Sequence, residues 1–215
     1  MDNLVIYGGG GAGRGCLQIA VEINNAGPTW NVLGFLEDDH TKHGQFLEGK
    51  PVVGDFSWLK ENPQVYVVIG IASPSVKQRI VERLLSIGHT RFATLIHPRA
   101  WLADNVIVGF GSVIYALAAC NTGASIGEHV LVNMNSTVGH DAILKDYCTL
   151  APGARVLGAA HIGQNAELGA NSVVLPHIKV GSGAILGAGA VATKDIPQNA
   201  LAVGVPAVCK NNFRG

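Results

Sequence analysis

Counting in steps of six from Leu102, the chain meets Leu102, Val108, Ile114, Cys120, Ile126, Val132, Val138, Leu144, Leu150, Val156, Ile162, Leu168, Val174, Val180, Leu186 and Ala192. Fourteen of these sixteen are Leu, Ile or Val, the exceptions being Cys120 and Ala192. Four places further on in each repeat stands a small residue in most cases, as at Ser112, Ala118, Ala124, Ser136, Ala142, Ala154, Ala160, Ala166, Ser172, Ala184 and Ala190. Glycine often follows the aliphatic position, as in Val108-Gly109, Ile126-Gly127, Ile162-Gly163 and Val180-Gly181. A period of six fits neither the alternation of a half-buried strand nor the 3.6-residue turn of a helix. It fits short strands winding as a triangular coil, three repeats to the turn, with the aliphatic side chain stacked inward and the small residue near a corner. Glycine, Asn or Asp is expected to take the left-handed dihedrals of the corners. A sandwich with evenly spaced turns would tolerate loops of variable length, and this register runs unbroken from 102 to 196. The expectation is a left-handed parallel β-helix over this stretch, within a second domain spanning 97–215.

Composition narrows the partners. Charged residues make up 14 % of the 215, with 15 basic and 15 acidic side chains in balance. No basic patch interleaves with aromatics, so nucleic acid is not an expected ligand. A β-helix with so few charges on its flat sides is expected to cover them by self-association. The four cysteines form no CxxC pair and no metal-site spacing, which fits reduced, mostly buried thiols, no metal and a cytoplasmic location. The stretch 105–127 carries no charge but is broken by Gly109, Gly111, Asn121, Gly123 and Ser125 and belongs to the repeat, so it is not read as a membrane span. No signal peptide is read before Leu4, because a strand-like run begins almost at once.

Residues 1–96 alternate differently. A strand from Asn3 to Tyr7 runs into Gly8-Gly-Gly-Gly-Ala-Gly13, followed by a helix from Arg14 to Asn25. A strand from Asn31 to Leu36 ends in Glu37-Asp-Asp39, and one from Val65 to Ile69 ends at Gly70. Ser73 or Ser75 can cap a helix carrying Lys77, Arg79, Ile80, Arg83 and Leu84, and a short strand near Phe92 to Ile96 leads out. Alternating strands and helices imply a small Rossmann-like parallel sheet, an α/β domain. Gly8, Gly10 and Gly13 match G-x-G-x-x-G, with an acid at about the right distance. In that motif backbone N–H groups at a helix N-terminus hold phosphate and the acid meets ribose hydroxyls. The structural alternative is that the glycines only make a tight strand-to-helix turn.

These two halves in this order, with Ser136-Thr-Val-Gly-His-Asp141, Ala151-Pro-Gly153, 163–169, Asn171-Ser-Val-Val-Leu-Pro176, Gly187-Ala-Gly189 and Val203-Gly-Val-Pro206, resemble the bacterial sugar acyltransferases of the bacillosamine N-acetyltransferase and sialic acid O-acetyltransferase type. The resemblance covers nearly the whole chain. It implies a homotrimer in which the β-helix binds acetyl-CoA between subunits and the front domain binds a sugar, often nucleotide-linked. It places His140 as the catalytic base and Asp141 as the acid beside it. Thr149, Ala170 and Ala188 fall at acetyl-CoA contacts, and Gly158 at a backbone N–H that can meet the thioester oxygen. Gly10, Gly11 and Ala12 correspond to the substrate-binding turn, with Glu37, Asp38 and Gly70 at nearby substrate contacts. Ala12 and Thr149 stand where the family commonly has His.

The chemistry agrees with the assignment. Moving an acetyl group from a thioester to an amine needs a base for the nucleophile's proton and a donor for the carbonyl oxygen, and it needs no covalent acyl-enzyme. Histidine titrates near neutrality and suits the first role. Seven other histidines compete. His40 and His43 lie in a polar loop, His89 at a helix end, His97 before Pro98, and His129, His161 and His177 at repeat positions expected to face outward. Cys120 and Cys148 fall on inward positions and read as core, and Trp30, Trp58 and Trp101 as core or interface. In a regular strand Asp141 would point away from His140, so their pairing requires a corner. The expected activity is N-acetylation of a nucleotide-linked amino sugar. O-acetylation of sialic acid or another sugar hydroxyl shares the base and is the nearest alternative. A nucleotide-dependent oxidoreductase and a non-catalytic nucleotide-sugar scaffold are the alternatives of a different class.

Overall fold

A computed structural model describes residues 1–210. The chain forms two compact units, the first Met1–Pro98 and the second beginning at Arg99.

In the first unit β1 (Asp2–Tyr7) runs into α1 (Gly11–Ala26), which leads to β2 (Trp30–Leu36). Then come the hairpin of β3 (Phe46–Leu47) and β4 (Lys50–Gly54), the single turn α2 (Trp58–Glu61), β5 (Tyr66–Ile69) and α3 (Pro74–Ser86). The sheet order is β3-β4-β2-β1-β5, parallel except for the hairpin, with Leu4 paired to both Val32 and Tyr66. Leu4, Val5 and Ile6 are fully buried, as expected of a parallel strand covered on both faces. The α1 helix begins three residues earlier than its sequence pattern suggests, because Gly11 and Ala12 already adopt the helical turn. Ser73 occupies the N-cap of α3, but its side chain makes no capping bond there. Two close approaches dictate glycine: a Cβ on Gly13 would lie 1.7 Å from Gly8 O, and one on Gly70 would lie 2.4 Å from Gly13 Cα. These three glycines therefore bring α1 onto the ends of β1 and β5. No helix of the described residues is long and apolar enough to cross a membrane.

The second unit is the left-handed parallel β-helix. Two-residue strands pair with those one coil away, as Ala119 with Trp101 and with Thr137, a spacing of eighteen. The second residue of each strand points inward, and Ile114, Val132, Leu150, Leu168 and Leu186 stack in one column at 0 % exposure. Each such side chain contributes about 1.5–3 kcal/mol by leaving water. The last coil is shorter by two residues, since Val180 meets Ile196 and Ile185 meets Leu201. Ile196 therefore takes an inward aliphatic place, where strict six-residue counting assigns it a small one.

The corners differ from the sequence expectation in two ways. Left-handed residues recur every sixth position from Gly111 to Gly189, but they include Leu117, His129, Tyr147, Ala159 and His177 besides Gly, Asn and Asp. Each pays roughly 1–2 kcal/mol of backbone strain, and the ladder holds it there: Tyr147 N–H donates to Glu128 O at 2.8 Å and Ala159 N–H to His140 O at 2.8 Å. The glycines that follow the aliphatic residue serve packing instead. A Cβ on Gly109 would lie 2.5 Å from the Gly127 carbonyl, and one on Gly163 would lie 2.5 Å from Ser182 N. His129 corrects a second expectation: it is buried, stacked parallel to Tyr147 with centroids 5.4 Å apart. His89 and His97 are buried too, the latter against Glu22 with Nε2–Oε2 at 2.8 Å. Cys16, Cys120 and Cys148 are buried free thiols, and burial pushes the Cys120 thiol up to about 12.

Candidate active site

In the β-helix, His140 and Asp141 lie between the strands Thr137–Val138 and Ile143–Leu144. Asp141 takes the left-handed turn with φ 58°, which swings its carboxylate back toward the preceding residue. His140 Nδ1 and Asp141 Oδ2 are 2.9 Å apart. The turn is thus the corner that a strand geometry lacked. Both side chains remain open to solvent, at 59 % and 68 % exposure, so the pair orients the ring more than it stabilises the fold. In the neutral imidazole this places the proton on Nδ1 and the lone pair on Nε2.

One coil further on, eighteen residues along, stands Gly158. A Cβ there would lie 2.3 Å from His140 Nε2 and 2.7 Å from Cε1, so only glycine leaves the ring its place. Among the described residues no acceptor within the chain takes the Gly158 N–H. The coil before contributes Gly123, where a Cβ would meet Asp141 Oδ1 at 2.4 Å. Bare backbone therefore flanks the acid on one side and the base on the other. Neither glycine nor its partner is adjacent in sequence, and the signal that reveals them is the eighteen-residue step.

The other β-helix candidates lie elsewhere on the coil. Ala170 and Ala188 stack on a different corner, where Gly189 N–H donates to Ala170 O at 2.8 Å. Thr149 sits on the third face, between Leu131 and Glu167 in register, and is buried at 3 %. The chain thus brings His140, Asp141 and Gly158 together and separates them from Thr149, Ala170 and Ala188. No group of three or more His, Cys, Asp or Glu among the described residues is arranged to hold a metal ion.

In the first unit, the candidate residues gather at the carboxyl ends of β1, β2 and β5, the edge at which open α/β sheets bind ligands. Gly8 N–H donates to Leu36 O, and Gly70 N–H to Tyr7 O. Gly10 caps α1, no side chain caps the helix, and a Cβ on Gly10 or Gly11 would meet nothing within 4 Å. The loop is therefore open at Gly10, Gly11 and the half-buried Ala12, while Gly70 is buried against Gly13. The acids are engaged differently from the motif's expectation. Glu37 accepts the Gly9 N–H at 2.6 Å and stands 3.5 Å from Lys42 Nζ. Asp38 accepts from the Tyr7 hydroxyl at 2.6 Å and from the Arg83 guanidinium at 2.6 and 2.8 Å. Desolvation, then Asp55 and Glu37, push the Asp38 carboxyl above the usual aspartate range, and His40 opposes them. Tyr7 and Arg83 were not singled out with the site by sequence, because they lie 31 and 45 residues from Asp38.

Residues 3–84 match the family model of the PglD N-terminal domain, and residues 123–158 and 159–194 match that of the bacterial transferase hexapeptide (six repeats). GDP-perosamine N-acetyltransferase of Escherichia coli is 31% identical over 172 residues, covering 79% of this chain and 76% of that protein. The acetyltransferase domain of PglB from Neisseria gonorrhoeae is 31% identical with a TM-score of 0.86, over 98% of this chain and 100% of that one. A histidine-to-asparagine variant of perosamine N-acetyltransferase from Caulobacter crescentus, solved with CoA and GDP-perosamine, is 29% identical with a TM-score of 0.88, over 99% of this chain and 98% of that one. This chain belongs to the hexapeptide-repeat sugar acetyltransferase family, with a PglD-type domain ahead of its β-helix.

Proposed function

We propose that this protein transfers an acetyl group from acetyl-CoA to the amino group of a nucleotide-linked amino sugar, with His140 as the general base. The observation that carries the reading is the His140–Asp141 pair facing bare Gly158. A ring nitrogen, its orienting carboxylate and a bare glycine whose N–H has no acceptor in the chain lie together at one open corner. Acetyl-CoA supplies an activated acetyl thioester. As the acceptor amine bonds to the acetyl carbon, His140 Nε2 takes the proton the amine must lose, and the positive charge then on the ring is met by Asp141; the C–S bond then breaks and CoA leaves as the thiolate, which takes up a proton to give the free thiol. The Gly158 N–H is proposed to donate to the carbonyl oxygen as that oxygen gains charge. The cradle that a Cβ at 158 would fill is the fit expected for a reacting group held close to backbone. Similarity to structures solved with CoA and GDP-perosamine, and with acetyl coenzyme A, supports the donor and the class of acceptor.

The same reading proposes a homotrimer in the cytoplasm. Ala170 and Ala188 sit on another corner of the same prism from His140, and a second copy of the chain is proposed to bring the two sets to one donor molecule. Glu37, Asp38 and the loop Gly10–Ala12 are proposed to hold the nucleotide-linked acceptor.

The test is thiol release from acetyl-CoA with UDP-, GDP- and dTDP-linked amino sugars and with free sialic acid, for wild type and His140→Ala. Turnover with a nucleotide-linked amino sugar that falls by roughly 10²–10⁴-fold in the variant is the expected result. Turnover with sialic acid alone moves the activity to O-acetylation, and turnover that survives in the variant removes His140 from the mechanism.

A further inference from the structure

The glycine before His140 lies against the peptide that carries the Gly158 N–H. A Cβ on Gly139 would stand 2.6 Å from Gly158 N, 2.7 Å from the Leu157 carbonyl carbon and 3.0 Å from Gly158 Cα, where ordinary contact begins at 3.4 Å. Gly139 thus rests bare on the Leu157–Gly158 peptide, too close for a side chain of its own. Hydrogen bonds tie the two coils together on either side of that contact. Gly139 N–H donates to Val156 O at 2.8 Å, and Ala159 N–H donates to His140 O at 2.8 Å. Gly139 is not among the left-handed glycines, so its backbone is open to any residue and only the contact calls for glycine.

The corner itself does not ask for glycine at this place. On this side of the prism the inward residues of successive coils are Leu102, Cys120, Val138, Val156, Val174 and Ala192. The residues that follow them are Ala103, Asn121, Gly139, Leu157, Leu175 and Thr193. Five of these six carry a Cβ, so the winding of the chain at this corner is compatible with one. The single exception falls on the coil that meets Gly158, whose N–H takes no acceptor in the chain among the described residues. Resting on the reading that this N–H receives the thioester oxygen, we infer that Gly139 is a positioning residue for the donor. Its bareness lets the Leu157–Gly158 peptide sit close against the turn at His140, and a side chain there moves the N–H away from the carbonyl oxygen. Gly139 acts through the peptide of the next coil and not on the reacting atoms. Loss of one such donor costs roughly 10²–10³-fold in rate, and a displacement of about 1 Å costs roughly 10²-fold.

Steady-state thiol release and thermal melts of Gly139→Ala test this beside Gly163→Ala. Gly163 meets the next coil in the same way at a different corner, where a Cβ would lie 2.5 Å from Ser182 N and 2.7 Å from the Gly181 carbonyl carbon. It reproduces the collision away from the site. Gly139→Ala is expected to lower kcat by roughly 10–10²-fold while KM for acetyl-CoA stays within about threefold. Gly163→Ala is expected to keep kcat within about threefold at a similar Tm. In the His140→Ala background the loss from Gly139→Ala recurs, because donor and base act separately. Retained kcat in Gly139→Ala, an equal loss in Gly163→Ala, a loss that vanishes in the His140→Ala background, or failure of Gly139→Ala alone to fold overturns the inference. Absence of acetyl transfer by the wild type removes the functional reading and this inference with it. Transfer that falls in His140→Ala and is untouched in Gly139→Ala removes this inference alone.

Discussion

Adding one methyl group at Gly158 tests the candidate site without touching the base itself. A Cβ at 158 lies 2.3 Å from His140 Nε2, 2.7 Å from Cε1 and 2.9 Å from Cδ2, where ordinary contact begins at 3.4 Å. The ring must therefore retreat by about 1 Å at the nitrogen that takes the proton, and a misplacement of that size costs roughly 10²-fold. That equals about 2.7 kcal/mol of barrier. The fold bears the change easily. Gly158 is not among the left-handed glycines, and the ring it displaces is 59 % exposed and free to swing outward. Initial rates of thiol release give kcat for Gly158→Ala, and a thermal melt gives its Tm. The expected result is kcat lower by roughly 10²-fold with Tm within about 3 °C of wild type. The decisive control is the same substitution in His140→Ala. If the methyl acts through the imidazole, it costs nothing further there. Retention of kcat within about threefold in the single variant, or an equal loss in the His140→Ala background, refutes the reasoning.

Three further outcomes follow from other residues. Asp141→Asn keeps the left-handed turn, which Asn tolerates, but removes the charge; an exposed pair contributes at most about 1 kcal/mol, so kcat falls roughly fivefold, and an unchanged rate would show the pair to be idle. Burial holds the His89 imidazole below its ordinary pKa, with the backbone at Arg91 offsetting this only in part. Between the depressed folded value and the unfolded value of about 6.5 the unfolded chain binds more protons, so stability rises with pH and is lost as pH falls below about 6.5. Urea midpoints from pH 7.5 to 5 will show that fall, less steep in His89→Gln, and an equal slope in the two proteins would remove His89 as its source. A thiol reagent should titrate Cys209 alone in the native protein and four thiols in denaturant, since Cys16, Cys120 and Cys148 are buried; fast labelling of a second thiol without denaturant would contradict that burial.

The repeat was legible in sequence because its physics is local and periodic. An inward side chain every sixth residue must be apolar to stack on its neighbour one coil away, and every such residue from Ile114 to Leu186 is at 2 % exposure or less. The α/β alternation was legible for the same reason, through the buried run of β1. What sequence did not reveal depends on contacts across coils or across the sheet. Glycines after the aliphatic position looked like turn-formers, but their carbonyl neighbours 2.5 Å from a would-be Cβ show a packing demand. His129 looked outward-facing by register. Its place at a left-handed corner and the parallel Tyr147 one coil on bury it instead. Arg83 read only as one of several helix cations until the sheet set it against Asp38.

The same eighteen-residue step that builds the core also builds the candidate site, and this explains where the site can be. Inward positions are closed to chemistry, since a titratable group there is driven toward its neutral form, as the Cys120 thiol pushed up to about 12 illustrates. Strand residues facing outward alternate away from their neighbours, so adjacent side chains cannot pair. Only a corner reverses that rule. At Asp141 a φ of 58° turns two successive side chains to within 2.9 Å, and the coils on either side supply Gly123 and Gly158 in place of side chains that would collide with them. A base–acid pair in a prism of this kind therefore needs bare residues eighteen before the acid and eighteen after the base. His161 and His177 have no such surroundings: His161 lies within a strand, and His177 follows Pro176 and precedes Ile178. Placing a His-Asp pair at another corner of this prism would reproduce the geometry only if those flanking positions were made glycine as well.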